Sequence, residues 1–201
     1  MEHKGTKRLE TKRLILRQYR VDDAEDMFNH WASDPEVTKF LTWPAYTEVE
    51  MANERIADWI SNYPDPAFYN WAIELKSEGF IIGSISVVRM NETVESADIG
   101  YCMGKAWWGQ GIMAEALQAV VDYLFAEVGM NRIAATHDKN NPNSGRVMDK
   151  VGMQVEGILR ASGMNQLGIC DMVWHSILRS EWEKQRKGQR KQQPSGTCNI
   201  F

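Results

Sequence analysis

No stretch of this sequence approaches the roughly 20 consecutive apolar residues that a helix needs to cross a bilayer. Cysteine is scarce, and Cys102, Cys170 and Cys198 are an odd, scattered set. They lack the paired spacing of a zinc site or a secreted disulfide framework, so reduced thiols and no metal are expected. Charge of one sign is lacking too: Lys and Arg number 23, Asp and Glu 27, and the formal net charge is -4. Such a balance gives the body of the protein no electrostatic reason to seek nucleic acid or an anionic membrane. Met1 to Arg13 is charged rather than apolar, unlike a secretory signal, and the expected location is cytoplasmic.

What is present is a hydrophobic fraction of 43% in 201 residues, enough for one α/β domain with a real core. Arg13 to Arg17 alternates apolar and charged residues, the period of a half-buried strand. A short helix follows the carboxylates Asp22 to Asp26, with Met27, Phe28 and Trp31 as its apolar stripe. Asp34-Pro35 opens another helical turn. Thr47 to Asn62 reads as a helix with Thr47 and Glu50 set as a capping box. Tyr69 to Leu75, Phe80 to Val88 and Ala97 to Met103 read as an antiparallel meander.

From Gly109 the pattern becomes a long helix ending at Gly129, with Leu117, Val120, Val121 and Leu124 on one face. A strand at Arg132 to Thr136, a helix at Asn143 to Lys150 and strands at Val155 to Leu159 and Met172 to Leu178 complete the order. The expected fold is a single α/β domain, a mixed, mostly antiparallel sheet flanked by helices, over residues 1–183. Residues 184–201 have almost nothing to bury and are expected to form a basic, disordered tail.

The segment richest in chemistry runs from Ile99-Gly100-Tyr101-Cys102-Met103 to Trp107-Trp108-Gly109-Gln110-Gly111-Ile112-Met113-Ala114-Glu115. Glycines before a helix let backbone N–H groups approach an anion, and the helix dipole adds favourable potential there. The Lys-Ser/Thr ending of a nucleotide P-loop is missing, as is the third glycine of a dinucleotide fold, so ATP and NAD are disfavoured. A different phosphorylated cofactor is required.

This segment resembles the cofactor motif of the GNAT superfamily of N-acetyltransferases. Leu9 to Arg17 with Asp22-Asp23-Ala24, Asn141-Pro142-Asn143-Ser144 leading to Val151-Gly152-Met153, and Glu156 to Arg160 with Asp171-Met172-Val173 resemble the branch that contains the ribosomal-protein N-terminal acetyltransferases. The likeness covers about Leu9 to Trp182. It departs at Trp108, where Arg or Gln is usual, at Met113, where Gly or Ala is usual, and at Met148, where many members carry a catalytic Tyr.

The resemblance implies acetyl-CoA as co-substrate and direct attack by an amine in a ternary complex. It implies a splayed central strand pair, with Gly100 to Cys102 holding the pantetheine and a main-chain N–H on the thioester oxygen. Ile99, Tyr101 and Met103 are then wall candidates, and Trp108, Gly109, Gln110, Gly111, Ile112 and Met113 hold the pyrophosphate through their backbone. Asn141 is implied to bond the pantetheine or acetyl end, and Ser144 to protonate the leaving thiolate. Ser144 reads equally well as a helix N-terminal hydroxyl.

Asp98 matches an acidic position of the family and is one candidate general base; Glu74 is the other, and each also reads as an ion-pair partner. With reference pKa values of ~7.8 and ~10.4, roughly a seventh of α-amines but well under a thousandth of lysines are neutral at pH 7. The resemblance makes a protein N-terminus, such as that of a ribosomal protein, the leading acceptor, and an α-amine needs little help from a base. A polyamine, aminoglycoside or other xenobiotic amine, or a sensor that binds acetyl-CoA without turnover, are the alternatives. Trp43 and Trp71 suit a cleft or a core, Cys102 a small buried hydrophobe, His137 a loop edge, and His30 and His175 structural roles. The open ends of a mixed sheet leave room for a homodimer.

Overall fold

A computed structural model describes residues 1–192, with side-chain environments through residue 188. The alternating run becomes β2 (Leu14–Arg17), paired to a two-residue β1 (Leu9–Glu10). The early helices are α1 (Ala24–Met27), α2 (Pro35–Thr38) and α3 (Val49–Asn62). β3 (Asn70–Leu75), β4 (Ile81–Asn91) and β5 (Ser96–Met103) form the expected antiparallel meander. Then come α4 (Ile112–Tyr123), β6 (Arg132–Asp138), α5 (Pro142–Lys150), β7 (Gln154–Asn165), β8 (Gly168–Leu178) and α6 (Arg179–Gln192).

The eight strands lie in one sheet in the order β1-β2-β3-β4-β5-β6-β8-β7. Among the described residues β5 and β6 are the one parallel pair, joined by the crossover through α4. Period-2 alternation sends Trp71, Ile73, Ile99, Ile133 and Ala135 to one face, where they pack with Leu117, Val120, Val121 and Leu124 of α4 and its continuation. A second core on the opposite face joins Met27, Trp31 and Ile56 of the early helices to Ala72 and Ile81. Trp71, at 0% exposure, belongs to the first core and is not available to line a cleft.

Three local expectations give way. Helix α3 starts at Val49 with Glu48 at its N-cap and no side-chain cap bond, so Thr47 and Glu50 do not make a capping box. Instead Thr47 Oγ1 turns to the Met51 sulfur and Glu50 accepts from Asn53. Second, β7 and β8 are longer than their apolar runs, because bulges near Val155–Gly157 and Leu159–Gly163 interrupt the alternation without ending the pairing. Third, residues 184–192 are helical where composition suggested disorder. Lys, Arg, Gln and Glu are good helix formers, and Trp182 anchors the helix on Phe125 while its indole N–H donates to Asp122. Residues 193–201, with Cys198, lie outside the described residues.

Arg17 ties the second core to the sheet. Its Nη1 and Nη2 donate to the two oxygens of Asp23 at 2.7 and 2.8 Å, and its Nε donates to Glu74 at 2.5 Å. All three side chains are nearly buried, and the two carboxylates raise the guanidinium pKa against the opposing effect of burial. Removing one member of such a group strands the others. Arg17→Met is expected to lower unfolding free energy by about 3 to 5 kcal/mol, read as a fall in the urea midpoint at unchanged slope.

Candidate active site

β5 and β6 pair only from Ser96–Arg132 to Ile99–Ala135 and then separate, leaving a fork between Gly100–Met103 and Thr136–Asp138. Each arm stays in the sheet through its outer neighbour, β4 for one and β8 for the other. Met103 lies opposite Gly83, and Gly104 N–H donates to Ile82 O, which makes that pair non-hydrogen-bonded. Alternation then turns the N–H and C=O of Tyr101 away from β4 and into the fork. A bulge at Val88, opposite Ile99 and Asp98, sharpens the bend of the neighbouring strand at the branch point.

The loop after β5 winds one 3-10 turn (Lys105–Trp107) and reaches α4 through Gly109 at φ 75° and Gly111 at φ 72°. Both are left-handed positions that favour glycine. Among the described residues, no group accepts the backbone N–H groups of Gly109 through Ala114. These donors lie at the positive end of a 12-residue helix, an arrangement that fits an anion such as a pyrophosphate. Ile112 and Met113 are buried, so only their main chain can take part. Trp108 is 41% exposed, and its indole N–H folds back onto Met103 O at 2.7 Å.

The turn is held from behind. Glu115 Oε1 accepts from Thr11 Oγ1 and Arg13 N, its Oε2 accepts from Arg13 Nε at 2.7 Å, and Arg13 Nη1 donates to Gln110 O at 2.9 Å. Fixing the Gln110 carbonyl on the Arg13 side leaves the N–H of Gly111, in the same trans peptide unit, facing the other way. The bonds to Arg13 and Thr11 hold the Glu115 carboxyl below its usual pKa, against the effect of its burial. Sequence reading missed this clamp, whose partners lie about a hundred positions apart.

At the other arm, Asn141 is the N-cap of α5 but makes no side-chain cap bond, so its amide is not committed to the helix it precedes. Ser144, three positions on, hydrogen-bonds Tyr101 across the fork: the Tyr101 hydroxyl lies 2.9 Å from Ser144 O and 3.0 Å from Ser144 Oγ. Burial raises the Tyr101 pKa, and the phenol stays protonated. Met148 is buried in the first core, so no hydroxyl is supplied from that position.

The remaining candidates separate by face. Ile99 and Met103 have their side chains in the core, and only their main chain borders the fork. Gly100 and Cys102 face the early helices, where burial pushes the Cys102 thiol up to about 12 and makes it a poor nucleophile. Asp98 is engaged by Arg89, with Nε at 2.7 Å, and that guanidinium also stacks on Trp174. Glu74 is committed to Arg17. Neither expected base is free.

His137 is buried rather than at a loop edge; its ring meets His175 at 3.3 Å and packs against Gly145. His30 Nδ1 donates to Ile81 O, and its ring lies between Phe80 and Trp107. Trp43 is half-buried against Tyr46. A cavity of about 360 Å³ opens where β6 ends and the β7–β8 hairpin turns, lined by Asp138, Asn165, Cys170 and Asp171 among others. Asp138 is 4% exposed and accepts from Asn140 N and Asn165 Nδ2.

Residues 13–154 match the family model described as an acetyltransferase (GNAT) domain. The uncharacterized N-acetyltransferase p20 of Bacillus licheniformis is 30% identical over 87% of this chain and 97% of its own. The ribosomal-protein-serine acetyltransferase of Escherichia coli is 27% identical over 60% of this chain and 66% of its own. Among solved structures, a GNAT-family acetyltransferase from Bacillus anthracis superimposes with a TM-score of 0.77 at 26% identity, covering 87% of this chain and 100% of that one.

Proposed function

The chain belongs to the GNAT family of acetyl-CoA-dependent N-acetyltransferases, and on that premise we propose that its acceptor is the α-amine of a protein N-terminus, of the kind found on ribosomal proteins. The observation that carries this reading is that, among the described residues, neither candidate base is free: Glu74 is bound to Arg17 and Asp98 to Arg89. An acceptor that is partly neutral at working pH needs no such base, and an α-amine, with a reference pKa of ~7.8, meets that condition far better than a lysine at ~10.4. The name of the Escherichia coli relative agrees with it.

Bound acetyl-CoA supplies the activated thioester. The free N–H groups of Gly109 to Ala114 hold its pyrophosphate, and Asn141 bonds the pantetheine or acetyl end. Tyr101 N–H, which faces the fork, donates to the thioester oxygen and stabilises the charge that develops there. The Asp138 and Asp171 carboxylates draw the amine towards the cavity beside the fork. Ser144 Oγ gives its proton to the sulfur as the carbon–sulfur bond breaks. It regains a proton through water from the nitrogen that has formed the new amide bond.

A rate-versus-pH series on an Ala- or Ser-starting peptide tests the reading. kcat/KM is expected to rise through about pH 7.8 and level off as the α-amine becomes neutral. A rate still climbing in proportion to hydroxide at about pH 9.5, as for a lysine or polyamine side amine, would exclude an α-amine acceptor.

A further inference from the structure

The contact between Tyr101 and Ser144 spans the two arms of the fork just beyond their last paired residues. A phenol has one proton to donate and lone pairs to accept with, while a carbonyl oxygen only accepts. With Tyr101 Oη 2.9 Å from Ser144 O and 3.0 Å from Ser144 Oγ, one arrangement satisfies both contacts. The phenol donates to the carbonyl, and the serine hydroxyl donates to the phenol oxygen. In the unliganded protein the Ser144 proton is therefore directed at Tyr101, inside the fork, rather than at the α5 backbone.

We propose that Tyr101 is a positioning residue for Ser144: it holds the serine hydroxyl over the fork and yields the serine proton to the sulfur when a thiolate appears there. A neutral phenol oxygen is a weak acceptor and a thiolate a stronger one, so the hydroxyl changes partner without a change of rotamer. The buried phenol remains neutral across the working pH range and never competes as an anion for that proton. Its bond to Ser144 O persists throughout and keeps the α5 N-terminus at a fixed distance from β5. Met148, further along the same helix, is buried in the core and offers no hydroxyl, whereas Tyr101 from the facing strand meets the serine. The inference rests on the reading of Ser144 as the group that meets the sulfur.

Binding of free CoA tests it without any acceptor or turnover. CoA becomes a thiolate as the pH rises beyond the ~8.5 of a cysteine thiol, and a hydroxyl aimed at the sulfur makes binding tighten as that thiolate forms. Calorimetric titrations between about pH 7 and pH 10 compare wild type, Ser144→Ala and Tyr101→Phe, with desulfo-CoA as the ligand that has no sulfur. The pH-dependent gain is expected to shrink about tenfold in Ser144→Ala, the worth of one hydrogen bond to a charged group, and about fivefold in Tyr101→Phe, while desulfo-CoA binds all three alike. Tyr101→Phe keeps the ring that packs on the core, so folding is not at issue.

If Ser144→Ala loses the gain and Tyr101→Phe keeps it, the positioning role is wrong and the Ser144 reading stands. If wild type shows no gain, Ser144 does not meet the sulfur and both ideas fail. Weaker binding of desulfo-CoA to Tyr101→Phe would overturn the inference in favour of a purely structural brace.

Discussion

Gly111→Asp is expected to weaken CoA binding on the order of a hundredfold while the protein stays folded. Gly111 sits at φ 72° as the N-cap of α4, with nothing nearer its missing Cβ than Arg13 Nη2 at 3.9 Å. Asp is among the residues that tolerate the left-handed region, and its carboxylate suits a helix N-terminus, so the helix loses little. The new carboxylate brings a like charge close to the N–H groups that would hold the pyrophosphate, and from beside Arg13 Nη2 it draws that guanidinium off the clamp that presents those donors. Lost donors and repulsion together amount to about 3 kcal/mol, or roughly two decades in affinity. Calorimetry with CoA reads the loss, and a melting temperature within a few degrees of wild type shows that the fold is intact. Undiminished binding would mean that the pyrophosphate sits elsewhere.

Ser144→Ala is expected to lower kcat about a hundredfold, the lower range for a general acid, with the acetyl-CoA affinity little changed. The variant leaves the geometry in place because Tyr101 still donates to the carbonyl of residue 144 at 2.9 Å. Affinity is unaffected because the hydroxyl acts on charge that forms only as the carbon–sulfur bond breaks. Single-turnover release of thiol separates the chemical step from product release. Equal rates in variant and wild type would assign the thiolate's proton to solvent and reduce Ser144 to an ordinary first-turn residue of α5.

Much of this was legible because it is local. The meander from Asn70 to Met103 follows from period-2 alternation, and α4 from the spacing of Leu117, Val120 and Val121 together with the stop at Gly129. The glycine turn could be read as an anion site since its donors come from consecutive residues. Long-range pairings were not legible. Arg13 meets Glu115 and Tyr101 meets Ser144 only because the sheet brings them together, and no periodicity encodes a partner.

The same reasoning explains why the candidate bases failed. Asp98 and Glu74 look available in a sequence, but Arg89 and Arg17 reach them through strand pairing and a core contact. Helix α6 is hidden from a reading of hydrophobicity because its first turn is held by a few long-range anchors, Trp182 on Phe125 and Arg179 on the Phe125 and Met130 carbonyls.

The most direct test of the account is thiol release from acetyl-CoA with two versions of one lysine-containing peptide, one with a free N-terminus and one with its α-amine blocked. The account predicts turnover on the free peptide, with the acetyl group found on the α-nitrogen by fragmentation mass spectrometry, and background release on the blocked one. Equal turnover on both peptides, or an acetyl group on the lysine, would contradict it.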